Sequence, residues 1–200
     1  MNDPAGQRPV AAGQDPSGGR TLAGLRDLVG TLLVAVILAL VVRTFVVESF
    51  VVQGVSMEPT FENNEHVLVN KMAFVFGPPK TGEIIVFHPP IPGVTEDYIK
   101  RVIATAGETV SIKSGNVYVD GQKLAQPFIE YWDPSSFHQV TVPKGDVFVL
   151  GDNRPDSYDS RYFGFVPDRS IAGQVVFAFW PMSRLGTVGH PEPGARGYKA

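Results

Sequence analysis

Residues 28–47, LVGTLLVAVILALVVRTFVV, constrain this chain more than any other stretch. Sixteen of the twenty are apolar, interrupted only by Gly30, Thr31, Arg43 and Thr44. As a helix, twenty residues span about 30 Å, the thickness of a bilayer core. The run has no polar stripe, so it is not an amphipathic surface helix. Arg43 lies near one end, where its long stem reaches headgroups. A cleavable signal peptide needs a shorter apolar core followed by a small-x-small site, and Val46, Val47, Glu48 and Ser49 do not supply one. The expectation is an uncleaved anchor over residues 25–47. Arg8, Arg20 and Arg26 precede it, and Thr44–Asn70 holds no Lys or Arg. That asymmetry predicts a cytoplasmic N-terminus and an extracytoplasmic remainder in the cell membrane.

The first twenty residues hold seven Gly or Pro and no aromatic. Such a segment cannot bury enough apolar area to offset its ordering entropy, so residues 1–24 read as a disordered cytoplasmic tail. The Pro/Gly-rich end, residues 186–200, reads as a flexible tail. Net charge is -3, which argues against a nucleic-acid partner. With no cysteine, disulfides, thiolate metal sites and cysteine nucleophiles are excluded together.

Residues 48–185 read as one β domain. Their apolar runs are short and rich in β-branched and aromatic residues. Strands are expected near His66–Asn70, Ile84–Phe87, Asp97–Ile103, Thr109–Ile112, Asn116–Val119, Lys123–Ala125, Gln139–Val142, Val147–Leu150 and Gly173–Trp180. Asp120-Gly121 predicts a two-residue hairpin turn, and Ser114-Gly115-Asn116 another turn. No stretch outside the anchor shows a helical period over ten residues. The fold class is mainly β, a barrel or sandwich on one membrane helix.

Four stretches carry candidate chemistry. In Gln53-Gly54-Val55-Ser56-Met57-Glu58-Pro59-Thr60, a serine sits between a glycine turn and a proline-ended turn. It is either an ordinary loop serine or a displayed nucleophile. It is not the G-x-S-x-G elbow, because Glu58 replaces the second glycine. His66, His88, His138 and His190 all lie in stretches unlike a triad partner. Tyr98-Ile99-Lys100-Arg101-Val102-Ile103 offers another base. On a strand Lys100 and Arg101 point to opposite faces. Either this is a charged edge strand, or Lys100 is buried and its pKa lowered far enough to supply a neutral amine. The polar run Gly151–Arg161, with Asp152, Asn153 and Arg154, reads as a solvated turn when taken alone. Lys80–Phe87 reads as a turn feeding a buried strand.

The order of these motifs resembles bacterial type I signal peptidase, the leader peptidase family. It runs as an anchor, then S-M-x-P-T, T-G-E-I-I-V-F, Y-I-K-R-V and G-D-N-R-x-x-S-x-D-S-R-Y-F-G-F-V-P. The resemblance covers Leu28 to Pro181 and matches the single-anchor members. It implies a signal-peptidase-like β catalytic domain and a Ser/Lys endopeptidase that removes signal peptides from exported preproteins after a small-x-small site. No metal or cofactor is implied; the partners are preproteins and the lipid bilayer. By the same resemblance Ser56 falls at the nucleophile, Lys100 at the general base and Ser157 at the serine that orients the lysine. Asp159 and Arg161 fall at a structural ion pair. Phe50, Val52, Gln53, Phe61, Tyr98 and Ile99 fall at the small-residue pockets, and Asp152, Asn153 and Arg154 at supporting positions. Gly54 stands where some members carry an oxyanion-hole serine, so the donors are expected from the backbone, including the Ser56 N–H. Phe61 stands where leucine is frequent. The alternative reading is a membrane-tethered β-domain that binds exported peptides without cleaving them.

Overall fold

The computed structural model describes residues 17–188. Helix α1 covers Ser17–Phe45. It begins inside the stretch expected to be disordered and ends before Val46 and Val47, where the anchor was expected to end. Its described apolar side chains, from Leu25 to Val41, are exposed on every side. Gly24–Phe45 is long and apolar enough to cross a bilayer. Expectations for residues 1–16 and 189–200 fall outside the described residues.

The second compact unit begins at Arg43. Its strands are β1 Val47–Val51, β2 His66–Asn70, β3 Ile84–Phe87, β4 Tyr98–Thr105, β5 Thr109–Lys113 and β6 Asn116–Val119. They continue with β7 Gln122–Lys123, β8 Phe137–Thr141, β9 Asp146–Leu150, β10 Val166–Pro167, β11 Ile171–Trp180 and β12 Gly186–Thr187. The larger sheet runs β1-β2-β11-β3-β4-β9-β10, with β12 added to β11; the smaller runs β7-β6-β5-β8. All pairings are antiparallel.

The fold class is mainly β, as expected, with three strands that the sequence did not signal. β1 follows the helix within two residues and continues its apolar run, so no composition change marks it. β10 and β12 are two residues each, too short for an alternation pattern. β12 also places Gly186 and Thr187 in the sheet rather than in a flexible tail. A four-residue helix α2, Ser160–Phe163, begins at the end of the Gly151–Arg161 stretch and runs two residues past it. The Asp120-Gly121 hairpin is present, with both residues at positive φ (49° and 74°) and Val119 paired to Gln122.

Strand β3, IIVF, is buried along its whole length. A continuous apolar run of this kind fits a strand covered on both faces. One face packs Ile84 and Val86 with Val52, Met57, Phe61, Val67, Val69 and Val175. The other packs Ile85 and Phe87 with Val102, Val147, Val149 and Val166. β4 lies between β3 and β9, in the interior of the sheet. The edge-strand reading of Lys100 and Arg101 is therefore wrong. Lys100 is 4% and Arg101 2% exposed. Opposite-facing side chains can both be buried here because the sheet has a core on each side.

Candidate active site

Ser56 stands in the loop that leaves β1. The loop is closed at its base by Val52 N–H to Glu65 O (2.8 Å) and Asn64 N–H to Val52 O (2.8 Å). Gly54 holds φ at +88°, a conformation that side-chain-bearing residues avoid, and donates to Asn63 Oδ1 at 2.9 Å. Past the serine, Glu58 N–H reaches Val55 O (3.1 Å) and Phe61 N–H reaches Met57 O (2.9 Å). Asn153 grips the same segment twice, through its N–H to Ser56 O (3.1 Å) and its Nδ2 to Val55 O (3.2 Å). The Ser56 N–H has no hydrogen-bond acceptor among the described residues.

Lys100 comes from the middle of the sheet. Its Nζ donates to Ser56 Oγ at 2.8 Å and to Ile99 O at 3.0 Å. The Tyr98 ring lies 5.3 Å from the amine. Burial pushes the amine down from 10.5 to about 8, against the opposing pull of the Asp159 and Asp152 carboxylates. A serine hydroxyl thus faces a group with a sizeable neutral fraction near neutral pH.

The Gly151–Arg161 stretch is not a solvated turn. Arg101 forks onto Asp152, with Nε to Oδ1 at 2.9 Å and Nη2 to Oδ2 at 2.7 Å. Its Nη1 reaches Gly82 O at 3.0 Å, and its guanidinium stacks 3.8 Å from the Phe128 ring centre. Thr60 Oγ1 also donates to Asp152. Arg161 forks onto Asp159 at 2.8 and 2.9 Å, pairs with Asp133 at 2.7 Å and caps Arg154 O at 2.7 Å. Asp159 in turn accepts from Gly151 N–H at 3.1 Å and caps α2. Burial opposes the charge on Arg161, but these acceptors outweigh it and its pKa is raised. Burial holds Arg154 at about 10, opposed by Asp152 and Asp159; its Nε donates to Gly151 O at 3.0 Å.

A cleft of about 560 Å³ opens over the pair. Phe50, Val52, Gln53, Tyr98 and Ile99 line it together with Ser56 and Lys100. Gly54, Val55, Met57, Glu96, Asp97, Asp156 and Tyr158 also line it, and the sequence did not single them out as pocket residues.

Two expectations need correction. Phe61 is 2% exposed and packs in the core against Met57 and Val52, which line the cleft, but is not itself a lining residue. The turn after Ser56 folds the chain back inward, so the aromatic ring goes under the loop. Ser157 is buried, but its Oγ has no hydrogen-bond partner among the described residues. The amine finds its second acceptor in its own strand, at Ile99 O. The structure thus does not bring the Ser157 hydroxyl to Lys100.

Fold and site together define a class: an antiparallel β unit that sets a serine hydroxyl against a shielded lysine amine, with no described histidine in the cleft. A family model described as signal peptidase, peptidase S26, matches residues 25–180, and the chain belongs to that family. It is 43% identical over 142 residues to a signal peptidase I from Leptolyngbya laminosa, covering 68% of this chain and 70% of the relative. It is 39% identical over 147 residues to a signal peptidase I from Bacillus caldolyticus, covering 66% and 79%. A crystal structure of a signal peptidase I from Enterococcus faecalis matches 48% of this chain and 95% of its own, at 35% identity and a TM-score of 0.42. The reading as a binding module that does not cleave finds no support in these relatives.

Proposed function

We propose that this chain is a membrane-anchored serine endopeptidase that removes signal peptides from exported preproteins, with Ser56 as nucleophile and Lys100 as general base. The observation that carries the reading is the 2.8 Å contact between Ser56 Oγ and the amine of Lys100, a residue that is 4% exposed.

Neutral Lys100 takes the Ser56 proton as Oγ bonds to the scissile carbonyl carbon. The unpaired Ser56 N–H faces the developing oxyanion. The C–N bond breaks, and protonated Lys100 delivers its proton to the departing amine. A water, deprotonated by Lys100, then attacks the ester. The signal peptide leaves with a new carboxylate and Ser56 recovers its proton.

The cleft suits an extended peptide lying beside β1 and β4, with alternate side chains entering pockets walled by Phe50, Val52, Tyr98 and Ile99. Asp159 and Arg161 stiffen the loop behind the site. The anchor lies in the cell membrane, with its N-terminus cytoplasmic and the β unit outside. Anchoring raises the local concentration of a cleavage site that emerges from the same bilayer.

The test is cleavage of a purified preprotein by the full-length protein in detergent, followed by N-terminal sequencing of the product. Ser56→Ala and Lys100→Arg should each abolish trimming, because an arginine does not deprotonate near neutral pH. Trimming at the wild-type rate by either variant refutes the assigned roles. Absence of trimming by the wild type refutes the activity itself.

A further inference from the structure

Arg184 lies beyond the residues 25–180 matched by the family. It closes the short 3-10 turn Met182–Arg184, just before β12 pairs with β11. Its guanidinium reaches across more than a hundred residues of sequence to the segment that follows Ser56. Nη2 donates to Pro59 O at 2.9 Å and to Thr60 O at 3.1 Å. Nη1 meets Glu62 Oε1 at 2.9 Å, and Nε meets Glu65 Oε2 at 3.1 Å. Glu65 is 2% exposed, and its Oε2 also accepts the Glu62 N–H at 2.9 Å. Among the described residues, Arg184 is the only cation paired with that buried carboxylate.

These contacts divide the work of holding the loop. Asn153 grips Val55 O and Ser56 O, and Asp152 takes Thr60 Oγ1. Arg184 takes Pro59 O, Thr60 O and the Glu62 and Glu65 carboxylates. A planar fork satisfies several acceptors at fixed angles, which an ammonium does not. We infer that Arg184 is a positioning residue for Ser56, which makes the Met182–Thr187 segment a working part of the active site. The inference rests on Ser56 being the nucleophile. Its consequence is that loss of Arg184 leaves the burial of Lys100 and its bond to Ile99 O in place and lets the serine wander from the amine.

The experiment uses the full-length protein in liposomes with a preprotein substrate. Kinetics of Arg184→Ala, Arg184→Lys and Glu65→Gln are compared with those of the wild type and Ser56→Ala, each scaled to its folded fraction. Displacements on the order of 1 Å at a reacting atom can cost up to about a hundredfold in rate. Arg184→Ala should therefore lose about tenfold or more in kcat with KM within about twofold. The acid limb of its pH profile should stay in place, and added methylguanidinium should restore part of kcat to this variant alone. Arg184→Lys should recover only part of the loss, and Glu65→Gln should lower kcat in the same sense. Wild-type kcat per folded molecule in Arg184→Ala, or a rise in KM with kcat unchanged, overturns the inference. If Arg184→Ala does not fold, Arg184→Lys and Glu65→Gln decide by the same criteria. Cleavage by Ser56→Ala would instead sink the underlying nucleophile assignment.

Discussion

Arg101 and Lys100 are neighbours on β4, yet Arg101 holds both oxygens of Asp152 while Lys100 meets only Ser56 Oγ and Ile99 O. The carboxylate that would otherwise stabilise the ammonium is engaged by a different cation. The lysine is left with desolvation as the dominant influence on its proton. The Arg101–Asp152 pair is thus a brace for the site, and Asp152, with Asp159, still pulls the Lys100 pKa up against burial.

Asp152→Asn should separate these two effects. It leaves the Arg101 guanidinium, 2% exposed, without its counter-charge. Breaking one side of a buried pair typically costs about 3–5 kcal/mol, so the melting temperature should fall clearly. It also removes a carboxylate that raises the Lys100 pKa, so the acid limb of residual activity should move below about 8. An unmoved limb, or one shifted upward, would show that Asp152 is not felt by the lysine.

The lysine pKa yields a second prediction, for both rate and stability. With Lys100 as base, kcat/KM should climb with pH and level off above about 8. The stability effect has the opposite origin. The folded pKa lies below the unfolded value of 10.5, so the unfolded chain binds the proton more tightly. Folding therefore bears a penalty below about pH 8, and it fades as pH rises toward 10.5. The difference corresponds to about 3 kcal/mol. Lys100→Met should accordingly be more stable than wild type at pH 7, with the gap closing by pH 10 to 11. Denaturant midpoints across pH check this, and a gap independent of pH would mean the amine titrates as a solvated one.

Much of this arrangement was legible in the sequence, for physical reasons that differ from residue to residue. The apolar run announced α1 because helical length and bilayer thickness match. The Asp120-Gly121 turn announced its hairpin because few residues tolerate two positive φ values in succession. Lys100 and Ser56 came from motif order, since neither residue alone distinguishes a dyad from a surface pair. What stayed hidden depended on sheet order. β11 returns from the far end of the chain to lie between β2 and β3. That crossover and the pairing of β4 with β3 and β9 bury both faces of β4, which decides between the edge-strand and buried-lysine readings and buries Arg101 as well. Phe61 was misplaced for a related reason. Its place was taken from its position after S-M-x-P-T, while its direction is set by how the turn after Ser56 packs on the core.

Ser157 supplies a third prediction. Its buried hydroxyl has no partner among the described residues, a costly state for a group that could be replaced by hydrogen. Packing alone would favour alanine, so Ser157→Ala should keep or raise the melting temperature. Rotation about χ1 between staggered wells re-aims the hydroxyl with no backbone movement. If that brings it to Lys100 during the reaction, kcat should fall about tenfold or more in the same variant. Unchanged kcat would remove Ser157 from any role in orienting the lysine.

Gly151 joins the two halves of the site, and its substitution is the most demanding test of how closely they meet. A β-carbon there would collide with Ser157 Oγ and lie 2.6 Å from Ser157 Cβ and 2.5 Å from Ser56 O. The serine side chain can rotate away from the first contact. The Ser56 carbonyl is backbone, and Asn153 N–H already holds it at 3.1 Å. Gly151→Ala should therefore displace Ser56 as well as strain the loop. Overpacking of this kind usually costs about 1–3 kcal/mol, and the shift at the nucleophile should lower kcat by up to about a hundredfold. The double variant Gly151→Ala/Ser157→Gly clears the Ser157 Oγ and Cβ contacts and leaves the one on Ser56 O. It should regain stability while its activity stays well below that of Ser157→Gly alone. Recovery of activity in step with stability would locate the damage at Ser157 and show that Ser56 tolerates the crowding.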